Sequence, residues 1–438
     1  MRIARRAAPE RVLLVHPGIY ADRNPLVFPP WGALMLGAEL LGRGHEVEVL
    51  DLNGQDVAAA VPAALGRHRP TVVGITCKLG LGAARFRAVV DVVRRESPDT
   101  TVVAGGPLVS SFPDPAHPLW AGLDAVFWGD GETALADWLA TDERPGGVLG
   151  PAETPDLDRI GVPAWWGPLR DYVKPAELWP NMTVDAMHVA SARGCTRRCT
   201  FCYLNAQYPG SRFRYVSADR LMADLQRLHD TAGASGFYFV DDCFVDRPET
   251  RVRRFCDLNI AEGAPFEYGC DVQLTDLENP ALLRRMHGAG FRALYVGIET
   301  ASPAVRKSLG KGSVRTGVPD LVSRALDLGL VVRASIGIGW PGETARDVAA
   351  TLEMIDRTPG LVFDAYRYLP LPNTPLGERS EWTERRAAAG PGRLEHAYED
   401  YSEYNTNHSD IPAEQFDALW QELLARERQR LEMYFARP

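Results

Sequence analysis

Residues 191–203 read SARGCTRRCTFCY and place Cys195, Cys199 and Cys202 in a Cys-x-x-x-Cys-x-x-Cys array. Gly194 precedes the first cysteine, Phe201 lies inside the array and Tyr203 follows it. Three thiolates on one loop, which Gly194 allows to turn sharply, can hold three irons of a four-iron cluster and leave the fourth iron without a protein ligand. Zinc competes for the same residues, but a structural zinc site takes four protein ligands, and the next cysteine in the chain is Cys243. A chance gathering of core thiols is the third reading, and it must explain three of only seven cysteines falling in one loop.

Strand and helix patterns alternate on both sides of this loop. Downstream, MHVASARG feeds the loop, and GFYFVDDCF, FEYGCDVQ, ALYVGIET, VVRASIGIGW and VFDAYRYLPLP supply five more strands. Helices are expected near 217–232 (with Ser217 as N-cap), 250–262, 279–288, 316–329 and 344–357. Six strands with five intervening helices suit a partial (β/α)6 parallel barrel whose site lies at the carboxyl ends of its strands. Upstream, VLLVH, VEVLDLN, TVVGIT, TVVAGG and DAVFWGDGE alternate with helices over residues 11–141. Fully apolar strands in that order imply an α/β, doubly wound parallel sheet covered on both faces. The expected organisation is a first domain over 1–141, a linker over 142–188, a barrel over 189–375 and a mostly helical C-terminal segment over 376–438.

Composition narrows the function. The formal charge of -9, with no basic block, argues against nucleic acid as a partner. No run of eighteen apolar residues occurs, so no membrane span is expected, and VLLVH is too short for a signal peptide. An odd number of cysteines, three of them clustered, points to a reducing cytoplasm.

The cysteine array, with Phe201 in the aromatic position after a small-residue strand, resembles the signature of the radical S-adenosylmethionine (SAM) superfamily. The resemblance implies that the open iron of a 4Fe–4S cluster is chelated by SAM. An electron from a flavodoxin- or ferredoxin-type donor then yields a 5′-deoxyadenosyl radical that abstracts a substrate hydrogen. The run PPWGALMLGAELLGRGHEVEVLD, VVGIT, VVAGGP and WGDGE resembles the cobalamin-binding domain that precedes the barrel in many such enzymes. His16, Gly105, Gly106, Gly129 and Glu132 then stand at strand ends where cobalamin would lie. No Asp-x-His-x-x-Gly motif follows the first strand, an absence that neither proves nor excludes the cofactor.

The same resemblance assigns the barrel mouth. Asp241 and Asp242 are expected to receive the SAM amino group, and Glu299 to reach the ribose or a polar neighbour. Gly337, Ile338 and Gly339 would lie along the adenine, Arg333 would meet the SAM carboxylate or a neighbouring acid, and Phe201 and Tyr203 would flank the cofactor. Asp271, Gln273, Glu299 and Cys243 are the candidate catalytic or substrate-contacting residues. Cys195, Cys199 and Cys202 are the metal ligands. The implied activity is cobalamin-dependent C-methylation of a small metabolite in secondary metabolism. A cobalamin-independent dehydratase or lyase acting on a polyol or aminosugar is the alternative, and a non-catalytic iron–sulfur carrier is a remote one. Tyr398, Tyr401 and Tyr404 are expected in a cap that contributes to substrate choice.

Overall fold

The computed structural model describes residues 8–18, 28–77, 82–111, 115–150, 154–161, 164–179, 181–204, 213–371, 374–379 and 407–435. These fall into two units, the first running to Gly167 and the second beginning at Pro168. Tyr398, Tyr401 and Tyr404 lie outside the described residues.

The first unit grows from short β-branched runs that are apolar on both faces. Its strands are β1 (Arg11–His16), β2 (Glu46–Asp51), β3 (Val72–Thr76), β4 (Thr101–Gly105), β5 (Ala125–Phe127) and β6 (Gly147–Leu149). All pair in parallel, in the order β2-β1-β3-β4-β5-β6. Helices α1 (Trp31–Gly42), α2 (Val57–His68), α3 (Gly82–Glu96), α4 (Pro107–Ser111) and α5 (Gly131–Leu139) connect them. Strand β6 falls within the stretch read from sequence as a linker. Three residues in a Pro- and Gly-rich run carry no period, and only pairing with β5 reveals them as a strand. Later in the same stretch Trp165 lies against Gly37, where a Cβ would come within 2.7 Å of its ring.

In the second unit β7 (Ala186–Val189) leads into a two-stranded antiparallel clasp, β8 (Ala192–Arg193) with β9 (Arg214–Tyr215). The order then runs α6 (Ala218–Ala232), β10 (Gly236–Phe239), α7 (Thr250–Ala261), β11 (Glu267–Gln273), α8 (Pro280–Gly288), β12 (Phe291–Glu299), α9 (Pro303–Ser308), α10 (Val318–Asp327), β13 (Val331–Ile338), α11 (Ala345–Asp356) and β14 (Val362–Arg367). Strands β7, β10, β11, β12, β13 and β14 pair in parallel, in chain order. Helix starts follow local chemistry: the Asn279 side chain caps α8, and Thr344 forms a reciprocal capping box with Asp347 on α11. Phe237, Phe239, Phe244, Phe255, Tyr268 and Phe291 form a fully buried aromatic core. The final helix, α12 (Ala413–Phe435), buries Phe416 and Leu423. Edge strand β14 leaves unpaired backbone donors, and Glu427 on α12 accepts one, Ala365 N, at 2.6 Å. Among the described residues no helix is long and apolar enough to cross a membrane.

Candidate functional site

The cysteine loop leaves β8 through Gly194, whose φ of +80° permits the turn. Two adjacent carboxylates at the end of β10 hold the loop. Asp241, fully buried, accepts from Ser191 N at 2.6 Å, Ser191 Oγ at 2.5 Å and Ala192 N at 2.8 Å. Asp242 accepts from Gly194 N at 3.2 Å and Tyr203 Oη at 2.8 Å, bracketing the three cysteines. Arg251 is buried behind Asp241, donating to Ser191 Oγ, Val216 O and Phe244 O with its guanidinium 4.8 Å from the Phe244 ring centroid. In the loop's middle, Thr200 N donates to Leu309 O at 2.9 Å and Leu376 N to Thr200 O at 2.8 Å.

Cys195, Cys199 and Cys202 are each of intermediate exposure. A hydrogen bond with Cys243 is the first cause lowering Cys195 to about 7, whereas burial pushes Cys202 up to about 12. Among the described residues no three His, Cys, Asp or Glu side chains converge to hold one metal ion. Three thiols on one loop match three irons of a cluster, whereas structural zinc takes four protein ligands.

On β11 to β14 half-buried residues recur at two-residue steps, which puts them on one face of the sheet: Asp271 and Gln273, Tyr295 and Gly297, Arg333 and Ser335, Asp364 and Tyr366. Register aligns Asp271 with Tyr295 and Tyr295 with Arg333. Arg333 grips Asp364 through two hydrogen bonds, one of 2.9 Å, so the acidic partner open from sequence is Asp364. Asp271 accepts from Tyr238 Oη at 3.3 Å, and burial raises it well above the usual carboxylate range. Gln273 turns toward the cysteine loop, where it meets Thr196, Arg197, Cys195 and Cys243.

Glu299 ends β12 at φ +65°, beside a register shift. Its carboxylate accepts from Lys311 Nζ at 2.7 Å, from Ser335 Oγ at 3.0 Å and from Tyr366 Oη. A Cβ at Gly297 would come within 2.5 Å of that Lys311 nitrogen. Burial opposes the Lys311 charge, but Glu299 and the Cys199 sulfur outweigh it and raise the amine's pKa. Phe201 packs edge-on to Trp340 with ring centroids 5.0 Å apart, and Lys311 Nζ lies 5.9 Å from the Phe201 centroid. Gly337 lies under Tyr366 and Trp340, Gly339 (φ +90°) lies against Phe416, and Ile338 is fully buried. Behind them, Glu343 accepts from Gly339 N at 2.7 Å and Trp340 N at 3.3 Å.

Sequence reasoning missed Ser335, Tyr366, Tyr238, Tyr295 and Asp364. The available signal was polar residues spaced two apart on strands whose other positions are apolar.

In the first unit, β1 and β2 end side by side, and His16 Nδ1 lies 2.8 Å from Asp51 Oδ1, both buried. The ends of β3 and β4 carry nothing larger than threonine, at Thr76 and Gly105. Gly106 (φ +103°) has no room for a Cβ, which would lie 2.7 Å from Thr76 Oγ1. Ser110 Oγ donates to Gly106 O at 3.1 Å and accepts from Gly129 N at 2.9 Å, joining two strand ends. Glu132 is buried in the first turn of α5. A small-residue edge with an imidazole oriented by a carboxylate fits a broad, flat ligand such as a corrinoid.

The family model for the radical SAM superfamily matches residues 189–355, and that for the B12 binding domain matches residues 19–139. An uncharacterised methyltransferase of Pyrococcus horikoshii is 27% identical over 74% of this chain and 72% of its own length. The hopanoid C-2 methylase of Rhodopseudomonas palustris is 25% identical over 77% of this chain and 61% of its own. Among solved structures, the radical SAM methyltransferase TsrM of Kitasatospora setae, with cobalamin and a 4Fe–4S cluster bound, superposes with a TM-score of 0.65 at 19% identity, covering 84% of this chain and 74% of that one.

Proposed function

Because the chain belongs to the radical SAM superfamily and carries a B12-binding domain ahead of its barrel, we propose that it is a cobalamin-dependent radical methyltransferase acting on a small metabolite. One observation carries this reading: both domains occur in one chain whose relatives include proteins named methyltransferase and methylase. When bound, the cluster and SAM supply a carbon-centred radical for hydrogen abstraction, and cobalamin supplies a methyl group.

The protein's own work is to place and shield these groups. Cys195, Cys199 and Cys202 would hold the cluster, on a loop that Asp241 and Asp242 keep in shape. Lys311, paired with Glu299, sets a fixed positive charge beside Cys199. The packed rings of Phe201 and Trp340 would shield that side from water. The substrate would lie over Asp271, Tyr295 and Arg333, whose polar groups suit a hydroxylated or charged molecule. His16, Gly105, Gly106, Gly129 and Glu132 would face the cobalamin.

The test is metal analysis of protein made anaerobically with cobalamin supplied, followed by reduction in the presence of SAM. Stoichiometric cobalt beside iron, with 5′-deoxyadenosine formed, is expected. Iron and 5′-deoxyadenosine without cobalt would make the first domain a retained scaffold and remove methyl transfer.

A further inference from the structure

Gln273 ends β11 with its amide held in a defined orientation. Its Oε1 accepts from Arg197 Nε at 2.6 Å, and a guanidinium can only donate, so the NH2 group is directed elsewhere. Arg197 is anchored in turn by Thr275 Oγ1 at 3.1 Å. Nε2 lies 2.9 Å from Thr196 Oγ1, 3.5 Å from Cys195 Sγ and 3.4 Å from Cys243 Sγ. Two N–H groups therefore serve three acceptors, one taken by Thr196 and the other shared by the sulfurs. Cys243 has two partners for its one hydrogen, Val245 O at 3.4 Å and the Cys195 sulfur.

We propose that Gln273 is a positioning residue that donates an N–H···S hydrogen bond to Cys195 and so raises the reduction potential of the cluster this cysteine helps to hold. The proposal rests on the radical SAM reading. Reduction adds one electron from the external donor, and part of that charge falls on the thiolate sulfurs. A donor aimed at a sulfur stabilises the reduced cluster more than the oxidised one.

A potentiometric titration of the anaerobically reconstituted full chain, with dithionite as reductant and electron paramagnetic resonance as readout, tests this. Gln273→Glu keeps an oxygen for Arg197 and removes the donor, and Gln273→Met removes it without adding charge. Both should make reduction about tenfold harder, a fall of about 59 mV for a one-electron couple. Thr196→Val frees both N–H groups for sulfur and should leave the potential at or above that of the unaltered chain. An unchanged potential in the Glu and Met variants overturns the proposal. An equal fall in Thr196→Val does so too, since loop disorder would then be the cause. Loss of iron from the Gln273 variants also overturns it, by making Gln273 a prop for the loop. Failure of the radical SAM reading looks different: the unaltered chain itself would hold no reducible iron.

Discussion

In the first sheet Val12–Val15, Val72–Ile75 and Val102–Ala104 are buried along their whole length, whereas in the second Asp271, Gln273, Tyr295, Arg333 and Ser335 alternate with buried neighbours. Strand order accounts for the contrast. The order β2-β1-β3 reverses direction at β1, leaving a crevice between the carboxyl ends of β1 and β3, while helices cover both faces. That sheet can offer only its edge, built from glycines, backbone and the His16–Asp51 pair. The second sheet never reverses, so it suits a curling partial barrel with one polar face. Its strands can present side chains along their length, and charged groups recur there. One parallel architecture thus yields a backbone-lined edge in one unit and a side-chain-lined face in the other.

The largest effect should come from Cys199→Ala, which is expected to abolish both cluster assembly and SAM cleavage; iron analysis and 5′-deoxyadenosine formation check it, and retained cleavage would remove the loop from the site. Next, Asp241→Ala strands the buried backbone donors of the loop at Ser191 and Ala192 and removes one of the two carboxylates that offset the buried charge of Arg251. A loss of about 3–5 kcal/mol is expected in denaturant unfolding of the full chain. A loss below about 1 kcal/mol would mean that side chains matter no more in the second sheet than surface groups do.

Glu343 gives a pH test. Burial pushes this carboxyl up to about 8 from an ordinary value of 4.5. The folded chain holds the proton more tightly than the unfolded one, so the stabilisation is complete below about pH 4.5 and is lost as pH rises through about 8. Unfolding free energy should therefore fall across that window, by at most about 1.4 kcal/mol per pH unit. Glu343→Gln should flatten this part of the profile. The smallest effect on stability is expected from His16→Gln at the first sheet's edge, about 1 kcal/mol. Its iron content should stay unchanged while cobalt retention falls, and a parallel loss of iron would break the contrast between the two sheets.

Much of this was open to reading from the sequence because it depends on neighbours in the chain. The Cys195, Cys199 and Cys202 spacing, the apolar strands and the helix starts near 279 and 344 all involve residues within a few positions of one another. The three-residue strand β6 and the six-residue helix α9 escaped because neither is long enough to show a period. The half-buried polar set on β11 to β14 was only partly legible. Asp271, Gln273 and Arg333 stood out as charged or polar within apolar runs, whereas Tyr295 and Tyr366 read as ordinary strand residues.

By itself the sequence determined a chain of two α/β units with a Cys-x-x-x-Cys-x-x-Cys loop between the first and second strands of the latter, since periodicity and residue spacing are local properties. Only the tertiary structure decided that Asp241 grips Ser191 across fifty residues, that Gln273 reaches Cys195 across seventy-eight, and that Arg333 takes Asp364 as its partner. Those partners are chosen by the register of parallel strands, which crossover helices separate by tens of residues, and a residue's type does not encode which distant neighbour its strand will bring alongside.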